Sequence, residues 1–269
     1  VEAFEEVGQF SFQLLFGTLA AVIAYFGEMM TLFGETVRTI FRRGINVNDV
    51  VRQMAVIGVE SLPISLLTAS FSSAVLALYT ITTLKVYGAA DIVGGIVAIS
   101  VVRETGPLLT GISIASRAGS AMTAEIGSMK VSEQIDALRS MSISPMEYLV
   151  APRLIACLIM LPLMTIFSNV GGLVGGAIVA SVNGVAWSAY QSAMFQLLEP
   201  DGSDITRGLF KTLFFGAIIA LVGCREGLET EGGATGVGQS TTRSVVIAIV
   251  LIFIADFLLT FLLFRDPVG

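Results

Sequence analysis

Arg103 and Glu104 stand side by side inside a long apolar run, and Asp256 stands alone in the middle of another. A charge near the centre of a bilayer costs roughly 2.5 to 3.5 kcal/mol on insertion scales, so each of these residues must face protein, water or a ligand. Adjacent helical positions point about 100° apart. Arg103 and Glu104 therefore neutralise each other poorly, and each needs another partner; Asp256 is a candidate for Arg103. Two chemistries fit: a structural ion pair between helices, or a guanidinium that meets an anionic substrate group such as phosphate. Pro107, four residues on, has no N–H to return to its helix and should kink it.

A second set of charges lies between apolar runs, in KVSEQIDALRSMSISPMEYLVAPR. Val131, Ile135, Leu138 and Met141 recur at i, i+4, i+7 and i+10, one apolar stripe of a short helix over 131–141. Glu133, Gln134, Asp136, Arg139 and Ser140 fall off that stripe and are available to water or a partner. The stretch GGATGVGQSTTR, from Gly232 to Arg243, invites comparison with phosphate loops. It lacks the Lys of a P-loop and does not complete GxGxxG. It reads as a turn in which Ser240, Thr241 or Thr242 caps the following helix.

The elements that position these residues follow from hydropathy. With 54% hydrophobic and 13% charged residues and a mean hydropathy of +0.85 over 269 residues, the chain is an integral membrane protein. A crossing helix needs about 20 apolar residues. Runs at 61–84, 92–123, 148–182, 206–224 and 244–264 meet that need, which predicts an all-α fold with five core transmembrane helices. Asn183-Gly184 ends the third run; Trp187, Tyr190, Met194 and Leu198 then recur at helical spacing, as in a surface helix with aromatic rings at headgroup level. The N-terminal run, Val7 to Gly27, could span or lie flat. An interfacial or half-inserted helix fits it better, because an extra crossing does not improve the charge asymmetry. Residues 1–55 are thus read as a membrane-associated helix with a basic connection, and 56–269 as the core.

Charge sets the orientation. Arg38, Arg42, Arg43, Arg52, Arg117, Lys130, Arg139, Arg153, Arg225 and Arg243 share one side, against Lys85, Arg207, Lys211 and Arg265 on the other. The positive-inside rule puts the charged connection and the N-terminus in the cytoplasm and the C-terminus outside. Small residues recur in fours where backbones must approach closely: Ser65, Ala69, Ser73 and Ala77; Gly111, Ala115 and Gly119; and the doubled GxxxG of Gly171, Gly172, Gly175 and Gly176. Packing within one subunit accounts for most of this pattern, with a homodimer seam or a thin-walled cavity as the alternative.

Several function classes drop out. A net charge of -6 with the basic residues scattered argues against nucleic-acid binding. Histidine is absent, and Cys157 and Cys224 lie far apart in apolar runs, so no metal site, disulfide framework or cofactor is expected. The chain starts with Val and no basic n-region precedes its first apolar run, so no signal peptide is read there. No nucleotide motif and no nucleophile-base pair is present, which predicts a non-catalytic subunit whose energy comes from elsewhere.

The run RETGPLLTGISIASRAGSAMTAEIGSMKVSEQIDALRSMSISPMEYLVAPRLIA, Arg103 to Ala156, strongly resembles the MlaE permease family of lipid-transporting ABC systems. The likeness extends more weakly through LPLMTIFSNVGGLVGG and TGVGQSTTRSVV to IADFLLTFLLF. The resemblance implies a homodimeric permease of the bacterial inner membrane that moves phospholipids between inner and outer membranes. It further implies an ATP-binding cassette ATPase subunit, a periplasmic MCE-domain (MlaD-like) hexamer, a small cytoplasmic STAS-type subunit and a lipid cavity between the two permease copies. Carried over by position, the ATPase-coupling set is Glu125, Gly127, Val131, Glu133, Ile135, Asp136, Leu138 and Arg139. The lipid-cavity set is Arg103 and Glu104, with Leu66, Phe71, Val75 and Leu78 from the first core span. The acidic N-terminus and the DGSD loop, Asp201 to Asp204, match no family motif. Competing readings are a sterol, fatty-acid or plastid-type lipid importer of the MCE class, an ion-coupled secondary transporter using Arg103, Glu104 and Asp256, and a cargo-free membrane scaffold.

Overall fold

The computed structural model describes the backbone of residues 2–199 and 202–264, and the side chains of residue 20 and residues 23–42, 44–199 and 202–264. Asp201 and Arg265, and the side chains of the N-terminal run up to residue 19, lie outside the described residues. A backbone that crosses hydrocarbon must satisfy its own hydrogen bonds, and a continuous helix is the way a single segment does so. In chain order the helical runs are α1 (Glu2–Arg43), α2 (Val47–Val86), α3 (Ala90–Val131), α4 (Gln134–Ser140), α5 (Met146–Val182), α6 (Trp187–Leu197), α7 (Ser203–Leu228) and α8 (Gly233–Leu263). Five of them, α2, α3, α5, α7 and α8, are long and apolar enough to cross a membrane. The chain is an all-α integral membrane protein.

Small residues decide which helices touch. Ser65, Ala69, Ser73 and Ala77 of α2 are all fully buried against the glycine ridge of α5. A Cβ at Gly175 would lie 2.4 Å from the Ser70 carbonyl oxygen, and one at Gly172 would lie 2.8 Å from the Ser73 hydroxyl. The repeat of fours is therefore used inside one subunit. A similar approach brings α7 onto α3, where a Cβ at Gly208 would lie 2.3 Å from the Val102 carbonyl. Near its basic end α2 breaks at a short turn, Glu60-Ser61, which α3 secures: Arg117 donates to the Val56 carbonyl and to the Ser61 hydroxyl, both at 3.1 Å, and pairs with Glu60.

Two expectations about the connections are corrected. Tyr190 lies beside Trp187, ring centroids 6.3 Å apart, but does not share its exposure. It is buried, its hydroxyl donates to the Leu173 carbonyl at 3.3 Å, and burial pushes its phenol up to about 12. Gly94 and Gly176 make the room for it, since a Cβ at either would strike Tyr190. The second correction concerns the glycine-rich stretch, where the turn is confined to Gly232 and Gly233 (φ +85° and +68°) and α8 starts there, eleven residues before 244. Ser240, Thr241 and Thr242 lie inside the helix and cap nothing. Thr241 and Thr242 donate instead to the Val237 and Gly238 carbonyls, at 2.6 and 3.1 Å.

α1 lies against one end of the bundle, the end that carries Arg153, Arg225 and Arg243. Tyr25 donates to Glu226 at 3.1 Å, Glu28 accepts from Arg225 Nε at 3.0 Å, and the Arg225 guanidinium sits 4.0 Å over the Tyr25 ring. Further along, Glu35, Thr39 and Arg42 border Ser144 and Met146 at the same end, before and at the start of α5. From Tyr25 to Arg42 the described contacts thus stay at one level, the arrangement of a helix lying along a surface.

The packing of α2 on α5 is testable. Gly175→Val should destabilise the protein by about 1–3 kcal/mol through overpacking. Gly238→Ala, which meets nothing within 4 Å, should be neutral or stabilising by up to about 1 kcal/mol. Thermal unfolding of both variants in the same detergent compares them directly.

Candidate functional site: a charged cluster and an outward helix

Three crossing helices bring their charges together at the end of the bundle opposite α1. The starting point is Pro107. With no N–H it leaves the Arg103 carbonyl without its usual helical partner, and the preceding turn of α3, Val101–Thr105, is widened into a π turn. The freed carbonyl accepts a hydrogen bond from the Lys211 ammonium of α7 at 3.0 Å. The same ammonium donates to Glu104 Oε2 at 2.9 Å and to the Thr260 hydroxyl of α8 at 2.8 Å. That uses its three donors. Asp256 Oδ1, 2.7 Å away, completes the site as an ion pair. The Thr260 hydroxyl in turn donates a hydrogen bond to Glu104 Oε1 at 2.9 Å.

Arg103 turns the other way. Its Nη2 and Nε lie 2.6 and 2.7 Å from Asp204 Oδ1, and Glu199 stands 3.9 Å off. Asp204, itself buried, also accepts from the Glu199 backbone N–H at 3.0 Å. Arg207 pairs with Glu199 at 3.6 Å. The Phe264 ring lies under three cations, 4.8 Å from the Arg103 guanidinium, 5.7 Å from Lys211 and 5.9 Å from Arg207, within the range in which a ring face attracts a cation.

The outcome for the residues singled out above is mixed. Arg103 and Glu104 do find separate partners, but Asp256 is not the partner of Arg103; it faces Lys211. Asp204, the last residue of DGSD and part of the first turn of α7, takes that place. Lys211 is not a flanking cation of the outer side, because it is fully buried inside the span. Spacing carried a signal for both: Asp204 and Lys211 are seven residues apart, two turns on one face, and Asp256 and Thr260 are one turn apart. Leu66 is half-buried on α2, while Phe71, Val75 and Leu78 are exposed on its outward face, Phe71 by 69%.

At the basic end, the short charged helix is shorter than its stripe predicts. Val131 closes α3, Glu133 adopts a left-handed conformation (φ +60°), and α4 runs only from Gln134 to Ser140. Ile135 is buried and Leu138 partly so, whereas Val131 and Met141 are exposed. The break at Glu133 turns the stripe, so its two ends leave the packed face. Asp136 and Arg139 pair with each other at 3.3 Å and point outward with Glu133. Glu125 and Gly127 work within the chain. Glu125 holds buried Arg153 at 2.7 Å, Arg153 donates to the Leu149 carbonyl at 2.8 Å, and a Cβ at Gly127 would meet the Thr230 hydroxyl at 2.8 Å. Among the described residues no cluster of His, Cys, Asp and Glu could hold a metal ion.

The described residues thus form a bundle of five helices long and apolar enough to cross a membrane, with a short charged helix at one end. The family model for the permease MlaE matches residues 50–262, and the chain belongs to the MlaE permease family, the permeases of ABC transporters. It is 40% identical over 256 residues to a probable ABC transporter permease protein of Synechocystis, covering 93% of this chain and 95% of that one. It is 38% identical over 230 residues to a probable ABC transporter permease protein of Rickettsia prowazekii, covering 85% and 88%. A third relative is the chloroplastic protein trigalactosyldiacylglycerol 1 of Arabidopsis thaliana, 36% identical over 233 residues, covering 86% of this chain and 66% of that one. The chain is a multi-pass membrane protein, and membership in this family implies an ATPase partner.

Removing one member of a buried pair strands the other, at a cost of roughly 3–5 kcal/mol. Lys211→Met should therefore unfold at markedly lower temperature in detergent. Adding Asp256→Asn to it should recover part of the loss, a coupling of about 0.5–3 kcal/mol in a double-mutant cycle.

Proposed function

We propose that this chain is the non-catalytic permease subunit of an ABC transporter that moves phospholipids between the inner and outer membranes of a diderm bacterium. It works as a homodimer in the inner membrane, with α4 in the cytoplasm and the C-terminus in the periplasm. The observation that carries this reading is α4. A short helix displays Glu133, Asp136 and Arg139 outward and is bound to the core by Ile135, while Glu125 and Arg153 fasten α3 to α5 behind it. A polar helix so placed transmits force from a partner, and this sequence has no nucleotide motif of its own. The ATPase docks there, and an MCE-domain hexamer and a STAS-type subunit complete the assembly.

The outward face of α2, with Phe71, Val75 and Leu78, forms the wall of a lipid cavity against a second copy, and Arg103 and Glu104 border it from α3. Glu104 is fixed by Lys211 and Thr260, so the polar border of the cavity is held rigid. The Arabidopsis relative, by its printed name, favours a second reading within the class, a glycerolipid importer of the plastid type. Headgroup analysis of co-purified lipid separates the two.

Charge reversal at the docking helix tests the main reading. Glu133→Arg, Asp136→Arg and Arg139→Glu together should abolish ATPase co-purification and lipid transport while the chain still inserts. Retention of both would remove α4 from the docking site. For the cavity, Val75→Trp should cut the co-purified phospholipid several-fold with ATPase binding intact; an unchanged lipid load would exclude the α2 face.

A further inference from the structure

α2 is cut into two pieces, and one residue of α3 holds both. Its ladder loosens into a π turn over Ala55–Val59, and the Ser61 N–H then turns back to the Gly58 carbonyl at 3.0 Å. Pro63, second residue of the piece that follows, has no N–H to carry the ladder across the break. What bridges the gap is the Arg117 guanidinium. Its Nη1 donates to the Val56 carbonyl of the first piece and to the hydroxyl of Ser61, the residue that opens the second, both at 3.1 Å. Its Nη2 pairs with Glu60 between them. A guanidinium presents its donors in a fixed fork, so gripping both pieces also fixes the angle between them.

Arg117 itself stands at a loosened point, the middle of the π turn Ala115–Gly119 of α3, and such turns concentrate at functional positions. From there α3 runs on to Val131, about 21 Å at 1.5 Å per residue, and leads into α4. The two pieces of α2 rest on α5 differently. Beyond the break Ser65, Ala69, Ser73 and Ala77 are buried against the glycine ridge; before it, Gly58 faces the flexible end of Met160, whose methyl would lie 2.0 Å from a Cβ there. The first piece therefore has the softer seat. The ion pair is also of a kind that opens: the Arg117 side chain is 34% exposed and that of Glu60 55%, and pairs so exposed add little stability. We propose that Arg117 is a positioning residue, a latch through which α3 sets the angle between the two pieces of α2. A displacement of α4 thereby reaches the α2 face that carries Phe71, Val75 and Leu78. The inference rests on the docking role given to α4 and the cavity role given to that face.

Spin labels at Val51→Cys and Tyr79→Cys, 57% and 70% exposed on either side of the break, read its angle in the full transporter complex; native Cys157 and Cys224 are buried and do not compete. Labelled chain is diluted with unlabelled chain, and label distances are compared without nucleotide and with ATP and vanadate. The same complexes in liposomes give ATP hydrolysis and lipid moved per ATP. In the parent the distance should shift on trapping. With Arg117→Met the distribution should broaden and the shift disappear, while the ATPase still co-purifies and hydrolyses ATP, and lipid moved per ATP should fall about five-fold or more, the lower end of couplings between sites. Glu60→Gln with Ser61→Ala, which keeps Arg117 and removes two of its acceptors, should lower that ratio in the same direction even where Arg117→Met does not assemble. A shift and a ratio that survive in the variants overturn the latch, as does a lower unfolding temperature with the ratio unchanged or a parent distance that never moves. A parent complex that hydrolyses ATP without moving lipid would instead refute the transport reading, and the label distances would still decide the latch.

Discussion

The Lys211 ammonium is the contact on which the half of this bundle away from α1 depends. It is fully buried in a membrane-spanning helix, where an unpartnered charge would be untenable, so its surroundings are dictated rather than optional. It draws on α3 through the Arg103 carbonyl and Glu104, and on α8 through Thr260 and Asp256. Its presence explains otherwise puzzling features around it. Pro107 frees the carbonyl, the π turn at Val101–Thr105 presents it, and Gly208 lets α7 come close enough to reach it. Remove the ammonium and three helices lose the reason for their mutual register at this level.

The half beside α1 is organised by buried acids and bases of the opposite arrangement. There a carboxylate, Glu226, is the buried group, and it accepts from Tyr25 of α1, Arg225 of α7 and Arg243 of α8. Arg153 of α5 performs the equivalent task beside α3 through Glu125. Between the two polar layers lie packed apolar side chains, among them Ile114, Leu154, Phe215, Ile219 and Ile252. α3 is the element common to everything. It carries the Arg103–Glu104 pair near one end and leads into α4 at the other, and close-packed interiors transmit displacement instead of absorbing it. π turns at Val101–Thr105 and Ala115–Gly119 interrupt this helix, and such turns concentrate at functional positions because the backbone ladder is already loosened there.

Hydropathy and small-residue spacing made the architecture legible. Five crossings, the use of small residues inside one subunit and the break at Asn183-Gly184 all follow from patterns with a direct physical cause, lipid solvation and backbone approach. Boundaries were less legible, since α8 begins well before its uncharged run. Thr241 and Thr242 bond back to their own helix, so polarity marked a solvated helical turn as a loop. Partner assignment was the least legible layer. The pairing of Arg103 with Asp204, and of Asp256 with Lys211, depends on how α7 rotates against α3. That rotation is set by close approaches along the whole seam, at Gly208 against Val102, Gly223 against Gly119 and Gly227 against Ile126, which no charge pattern along the chain encodes.

The same logic explains why one charged helix could be recognised in outline but not in detail. Val131, Ile135, Leu138 and Met141 satisfy a helical period, yet a period describes an unbroken helix. The left-handed residue at Glu133 resets the phase, so only Ile135 and part of Leu138 stay on the packed face. What is left outward is more polar than the stripe implied: Glu133, Asp136 and Arg139, with Val131 and Met141 exposed at its ends. A surface of that composition is poorly suited to lipid and well suited to a soluble protein that binds through charge and a few apolar contacts. The break at Glu133 is thus what separates the segment from α3 and leaves its charges outward, instead of continuing α3 into water.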